Sequence, residues 1–254
     1  MLYSKLTRWA RRRQAEDPRI PDGRRVYAIG DIHGRLDLFD MLLDAIDADD
    51  TARGAAETQI ILLGDLIDRG PDPAGVVARA LRLGDAGRKV RYLLGNHEEV
   101  FLRAASGDAK ATKFLIRIGG RSTLASYGIT EAEYDELDYE DLAQLLVARV
   151  PREHLAFLEG FEDMIELGDY VFVHAGVRPG VELAEQKPSD LRWIRDEFLR
   201  HQGSHGRVVV HGHSISEDVD RQPNRIGIDT GAYASGRLTA IGLEGAESWC
   251  LATG

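Results

Sequence analysis

The chain has 254 residues, of which 43% are hydrophobic and 29% charged, with a formal net charge of −10. That length suits one sizeable core with an appended subdomain, and no apolar stretch approaches the roughly 18 residues of a membrane span. The acidic balance argues against general nucleic-acid binding, and the single cysteine, Cys250, excludes an internal disulfide and predicts a reducing, cytoplasmic setting.

The charge is unevenly spread. Residues 1–25 hold eight Lys/Arg against three Asp/Glu. The stretch "MLYSKLTRWARRRQ" sets Leu2, Leu6 and Trp9 on one helical face with arginines around it. Residues 1–22 therefore read as a basic tail, or as a helix making weak contact with a membrane surface or a partner. No apolar segment follows, so it is not a secretory signal. "RRVYAIG" (24–30) is an apolar run ending at glycine and predicts a strand. "RLDLFDMLLDAID" (35–47) has apolar residues at helical spacing. "QIILLG" (59–64) predicts a second strand, "PAGVVARALRLG" (73–84) a helix with Pro73 in its first turn, and "VRYLLG" (90–95) a third strand before the helix "HEEVFLRAAS". This βαβαβ order implies a parallel sheet. Residues 100–165 lose the strand pattern and predict a helical insertion. Within it, "EAEYDELDYED" (131–141) holds seven acids and no base, which suits a solvated helix face or a surface that attracts basic substrates. From 169 strands resume in "DYVFVHAG", "RVVVHGH", "NRIGIDTG", "RLTAIGLE" and "ESWCL". Their close spacing predicts antiparallel pairing in this half.

Each of the first three strands stops at glycine and is followed by polar residues: "GDIHG" (30–34), "GDLIDRG" (64–70) and "GNHEE" (95–99). Two later strands end in "VHAG" (His174) and "HGHS" (His211, His213). In open α/β sheets the carboxyl ends of strands form the ligand crevice. Taken alone, "GDIHG" reads equally well as a turn, and His174 reads as a satisfied core histidine. Together the motifs bring carboxylates, imidazoles and an amide to one rim, where the carboxylates would repel without a cation. The donors are O and N without thiolate. They suit divalent manganese, iron or zinc rather than a structural Cys-rich site. There are more donors than one tetrahedral ion needs, which favours two ions sharing a carboxylate and the phosphoester chemistry such pairs support.

The set GDIHG, GDLIDRG, GNHE, HAG and GH, spanning 30–213, resembles the PPP family of serine/threonine phosphatases within the calcineurin-like metallophosphoesterases. "WIRDEFL" and "IDTGAYASGRLTAI" are similar to the bacterial members. The resemblance implies an α/β fold with mixed sheets forming a central sandwich flanked by helices. Its catalytic domain would run over 23–254, with the insertion shaping the substrate groove. It implies that Asp31 and His33 bind a first metal, that Asp65 bridges, and that Asn96, His174 and His213 bind the second. His213 is preferred to His211 because it sits in the Gly212-His213-Ser214 pattern. Arg69, Arg195 and Asn96 would bind substrate phosphate, with Arg192 as the reserve for Arg195. His97 would act as general acid, oriented by Asp68. The implied activity is a serine/threonine, or dual-specificity, protein phosphatase acting on phosphoproteins or phosphopeptides by a dinuclear, metal-activated hydroxide.

Rival chemistries fit less well. Cys250 has no arginine after it, and there is no Gly-Lys pair for a P-loop. "DADDT" (47–51) matches an Asp-x-Asp-x-Thr pattern but follows a helix rather than a strand. The alternative within the family is hydrolysis of dinucleoside polyphosphates such as diadenosine tetraphosphate. That group commonly lacks the acid at the Asp68 position and has Asp after "GNH". Asp68 and Glu98 therefore favour the protein-phosphatase branch. A non-catalytic phosphate-binding scaffold would show eroded ligand positions, and none is missing.

Overall fold

A computed structural model describes residues 17–85 and 87–254. The basic segment with Leu2, Leu6 and Trp9 lies outside the described residues. The first sheet runs in the order β10-β9-β1-β2-β3, and the second in the order β4-β5-β6-β8-β7. The strands of the first are β1 (Arg24–Ile29), β2 (Glu57–Leu62), β3 (Val90–Tyr92), β9 (Thr239–Glu244) and β10 (Glu247–Ala252). Those of the second are β4 (Met164–Leu167), β5 (Tyr170–Val173), β6 (Val208–His211), β7 (Asp220–Gln222) and β8 (Arg225–Gly227).

The inner strands of both sheets, such as β1, β5 and β9, are apolar on both faces because both faces are covered. From β1, Val26 and Ala28 pack inward with Ile61, Leu63, Ile241 and Leu243 against Phe172, Val210 and Ile226 of the other sheet. Tyr27 and Ile29, on the opposite face, meet helices α1 (Leu36–Arg53) and α2 (Pro73–Asp85) through Phe39, Leu42, Leu43, Val76 and Val77. The outer face of the second sheet buries Val171, Val173 and Val209 beneath Leu191, Ile194 and Phe198. These come from α9 (Pro188–Trp193), its end, and α10 (Asp196–Leu199). The result is a sandwich of two mixed sheets flanked by helices.

Between β3 and β4 the chain is helical: α3 (Asn96–Ala105), α4 (Ala109–Leu115), a π-turn at Ile116–Gly120, α5 (Arg121–Ser126), α6 (Glu131–Glu136), α7 (Tyr139–Arg149) and α8 (Arg152–Glu159). The acid-rich stretch spans α6 and the start of α7. It caps both helices, with Thr130 accepting from the Glu133 N–H and Asp138 from the Asp141 N–H.

The second half departs from its expected pairing. β4/β5, β7/β8 and β9/β10 are antiparallel, but β5, β6 and β8 run parallel. Parallel neighbours need a crossover. Residues 174–207, with α9 and α10, supply it between β5 and β6, while β9 leaves to pair antiparallel with β1. Each sheet thus contains three parallel strands, β1-β2-β3 and β5-β6-β8. Their carboxyl ends carry the polar loops.

Candidate metal centre

Asp31 and His33 follow β1. Asp65, Asp68 and Arg69 follow β2. Asn96 and His97 open α3 directly after β3, His174 follows β5, and His213 follows β6. Asp65 is the hub. One carboxylate oxygen lies 3.6 Å from His33 Nε2 and 3.8 Å from His97 Nε2. The other lies 3.4 Å from His174 Nε2 and accepts the His97 backbone N–H at 3.1 Å. His174 Nε2 is also 3.0 Å from Asn96 Oδ1. Asp31 accepts the backbone N–H of His213 on both oxygens, at 3.1 and 3.0 Å. Ligand atoms of His33, Asp65 and His97 lie within 4.8 Å of one another, as do those of Asp65, His174 and His213.

Backbone geometry aims these side chains. Among the described residues, the non-glycine residues with positive φ are His33 (45°), Asp65 (50°), Asp68 (69°), Arg69 (67°) and His213 (63°). Every one belongs to this site. Left-handed conformation at a non-glycine residue costs on the order of 1–3 kcal/mol and persists where surrounding contacts over-determine it. One such contact is Glu98, fully buried, whose carboxylate accepts from the N–H groups of Asp65, Leu66 and Gly95. Gly95 has no alternative, since a Cβ there would stand 2.1 Å from Asp65 Oδ1.

The imidazoles are prepared to accept a cation. His33 Nδ1 donates to the Ile67 carbonyl at 2.7 Å and His174 Nδ1 to the Leu63 carbonyl at 2.8 Å, which turns each Nε2 toward Asp65. His213 Nε2 is buried with no hydrogen-bond partner among the described residues. Burial pushes His33 down to about 3 and, with the His174 charge, His213 to about 2. For His174, burial is outweighed by the Asp65 and Asp31 carboxylates, which lift it to about 10. Burial raises Asp31 well above the carboxylate range, and Asp229 and Asp65 add to it. The Asp65 and Asp31 carboxylates that raise His174 also attract a divalent ion. An orphaned imidazole nitrogen, O/N donors and two convergent clusters fit a dinuclear centre.

His97 differs from the other histidines. Its Nδ1 bonds Asp68 Oδ2 at 2.5 Å, and its Nε2 lies 3.1 Å from an Arg69 Nη. Burial opposes its charge, but Asp65 and Asp68 outweigh burial and raise its pKa. Arg69 itself is held by its N–H to the Gly119 carbonyl at 3.0 Å, with its guanidinium carbon 4.8 Å above the Tyr233 ring. Tyr233, in α11 (Ala232–Ser235), also packs edge-on against His33. Arg195 is exposed, its side chain makes no ion pair or hydrogen bond among the described residues, and its charge helps depress the His213 pKa. Arg192 is committed elsewhere, to Asp163 and Glu99. His211 lies behind the centre, its ring against Phe198 and its Nδ1 on the Gly212 carbonyl.

Sequence reasoning missed three participants. Asp229, buried beside Asp31 at the end of β8, continues the strand-end pattern in "RIGID" and was legible there. Glu98 read only as a mark of subfamily. Thr123, which binds Asp68 across 55 positions, has no signal in the sequence.

A family model described as calcineurin-like phosphoesterase matches residues 24–238. The symmetrical bis(5'-nucleosyl)-tetraphosphatase of Acidovorax sp. (strain JS42) is 33% identical over 178 residues, covering 70% of this chain and 49% of that protein. The protein of the same description from Nitrosospira multiformis is 30% identical over 270 residues, covering 86% of this chain and 92% of the relative. The match thus spans about half the length of the first relative and most of the second. The crystal structure of a cold-active protein-tyrosine phosphatase of a psychrophilic Shewanella superposes with a TM-score of 0.54 at 18% identity, covering 92% of this chain and 83% of that one. At that identity the likeness speaks for the fold alone. The match over residues 24–238, the identity along nearly a whole relative and the buried Asp/His clusters lead to one conclusion: this chain belongs to the calcineurin-like phosphoesterase family and is a metal-dependent phosphoesterase.

Proposed function

We propose that the chain hydrolyses dinucleoside tetraphosphates, with diadenosine tetraphosphate as the substrate. One observation carries this reading: 30% identity over 92% of a relative described as a symmetrical bis(5'-nucleosyl)-tetraphosphatase. That similarity outweighs the local cue from Asp68 and Glu98, so the protein-phosphatase reading moves to second place.

In this reading Asp31, His33 and Asp65 would hold one divalent ion, and Asp65, Asn96, His174 and His213 the other. The mixed O/N donors suit manganese, iron or zinc. The ion pair, when bound, supplies Lewis acidity that brings the pKa of water toward neutrality and offsets charge on the phosphoryl group. Arg69 grips phosphate oxygens with its planar fork, and Arg195, without a carboxylate partner among the described residues, binds phosphate together with the Asn96 amide. Once the Arg69 Nη that now faces His97 Nε2 at 3.1 Å turns onto phosphate, that nitrogen presents a proton to the leaving oxygen, while Asp68 stabilises the imidazolium. His97 is not counted as a ligand, although its Nε2 is near Asp65, because the Arg69 guanidinium beside it repels a cation.

The second reading rests on that acid. A serine alkoxide is a poor leaving group and needs a proton in the transition state, whereas a nucleoside diphosphate leaves as a stable anion. The buried Asp68–His97 pair therefore favours phosphomonoesters, including phosphopeptides. Both substrates tested under the same metal separate the readings. We expect a higher kcat/KM for diadenosine tetraphosphate, with ADP as the nucleotide product. A higher kcat/KM for a phosphoserine peptide would overturn the first reading.

A further inference from the structure

The insertion does more than flank the centre. Asp68 and Arg69 are consecutive left-handed residues, and both are gripped by the segment 118–123. The Arg69 N–H donates to the Gly119 carbonyl at 3.0 Å, and Gly119 takes φ 120° and ψ 10°, where a Cβ would strike the Arg69 side chain at 2.7 Å. The Asp68 N–H donates to Thr123 Oγ1 at 3.0 Å, and the same hydroxyl donates to Asp68 Oδ1. Thr123 and Asp68 are both fully buried. The other carboxylate oxygen, Oδ2, bonds His97 Nδ1 at 2.5 Å. Thr123 is itself anchored, since Ser126 Oγ donates to its carbonyl at 2.9 Å and accepts the Ala74 N–H of α2 at 3.2 Å.

We propose that Thr123 is a positioning residue for proton donation: its hydroxyl fixes the Asp68 carboxylate so that Oδ2 is held on His97. The proposal rests on the reading of His97 as proton donor. A carboxylate has a broad, roughly two-fold preference about its last torsion. At Asp68 two bonds from opposite sides remove that freedom. Without the hydroxyl, Oδ1 has no donor, the Asp68 N–H has no acceptor, and buried surroundings offer no water to replace either. The carboxylate then turns, and the imidazole it orients turns with it.

The test uses aryl phosphates, so it does not depend on which natural substrate is correct. Thr123→Val preserves the shape and removes the hydroxyl, Thr123→Ser keeps the hydroxyl, and Thr123→Ala removes it with different packing should the valine variant fail to fold. Each is compared with wild type and with His97→Asn on phenyl phosphate, whose leaving group needs a proton, and on 2,4-dinitrophenyl phosphate, whose leaving group does not. A misplaced donor is expected to lower kcat on phenyl phosphate about 10- to 100-fold, with KM nearly unchanged and only a small effect on the dinitrophenyl ester. Thr123→Ser restores the rate, and in the His97→Asn background the hydroxyl-deleting change has no further effect. An equal fall on both esters, or the same fall in the His97→Asn background, would overturn the proposal. If His97→Asn itself fails to separate the two esters, the proton-donor reading is what fails. If it separates them and the hydroxyl-deleting variants do not, only the role of Thr123 is lost.

Discussion

Glu98→Gln keeps the shape of a fully buried side chain and changes one atom, yet the structure gives it a large cost. Glu98 Oε2 accepts the N–H groups of Asp65 at 2.8 Å and Gly95 at 3.1 Å, while Oε1 accepts those of Leu66 at 2.8 Å and Ile67 at 3.4 Å. Glutamine retains one oxygen and places an NH₂ where the other stood. In either orientation two backbone donors then face a donor. Each buried unsatisfied group costs about 1–3 kcal/mol, so the change costs about 2–6 kcal/mol, against a typical total stability of about 5–15 kcal/mol. At about 2–4 °C per kcal/mol for a domain of this size, a 3 kcal/mol loss lowers the thermal midpoint by roughly 6–12 °C. The damage is also local, because these N–H groups hold Asp65 in its left-handed conformation. Metal affinity should fall with stability, measured by calorimetric titration. Burial and then the Asp65 charge raise the Glu98 pKa to about 7, so the alternative is a neutral acid with a hydroxyl already facing a donor. A glutamine variant with the wild-type midpoint and wild-type metal affinity would show that alternative to be correct and refute the carboxylate tether.

Other outcomes follow from the same geometry. Arg69→Lys loses the planar fork and the 3.1 Å contact with His97. It should cut kcat/KM about 10²- to 10³-fold with metal content unchanged by elemental analysis, and near-normal kinetics would remove Arg69 from the phosphate site. His205 is pushed down to about 4 by burial and by the nearby His201 and Arg225 charges, and burial also lowers His154. Both favour the neutral form when folded. The unfolded chain therefore takes up protons first, and stability is full above about pH 6.5 and lost as pH falls toward 4. Denaturant midpoints should drop between pH 7 and pH 5, and His205→Gln should flatten that drop; an unchanged pH dependence in the variant would count against it. Divalent metal should raise the thermal midpoint of chelator-treated protein in proportion to ln[metal], and Asp65→Asn should abolish the rise.

The sequence was most legible where one physical rule acted alone. Strands β1 and β2 are buried on both faces, so "VYAI" and "IILL" are unbroken apolar runs, and each ends at glycine before its polar loop. Strands β4 and β7 were missed because each is short and lacks a bounded apolar run: β4, "MIEL", continues from the helical insertion, and β7 is the polar "DRQ". The parallel pairing of β5, β6 and β8 depends on a crossover built from two very short helices, which periodicity over four to six residues does not reveal. Within the centre, residues at strand ends were visible because each follows its own strand. Thr123 was not, since it reaches Asp68 from an insertion whose π-turn depends on tertiary contacts, among them the close approach of Gly119 to Arg69. The preference for a protein phosphatase came from two side chains, Asp68 and Glu98. Glu98 turns out to have local structural work on the Asp65 loop that is compatible with either substrate, which leaves the Asp68–His97 pair as the cue for phosphomonoesters.

The central claim is that Asp65 joins two cations. Anomalous diffraction from crystals grown with manganese tests it directly. Two peaks about 3.5–4 Å apart are predicted on either side of the Asp65 carboxylate, one beside Asp31 and His33 and the other beside Asn96, His174 and His213. A single peak, or none within reach of Asp65, would contradict the account.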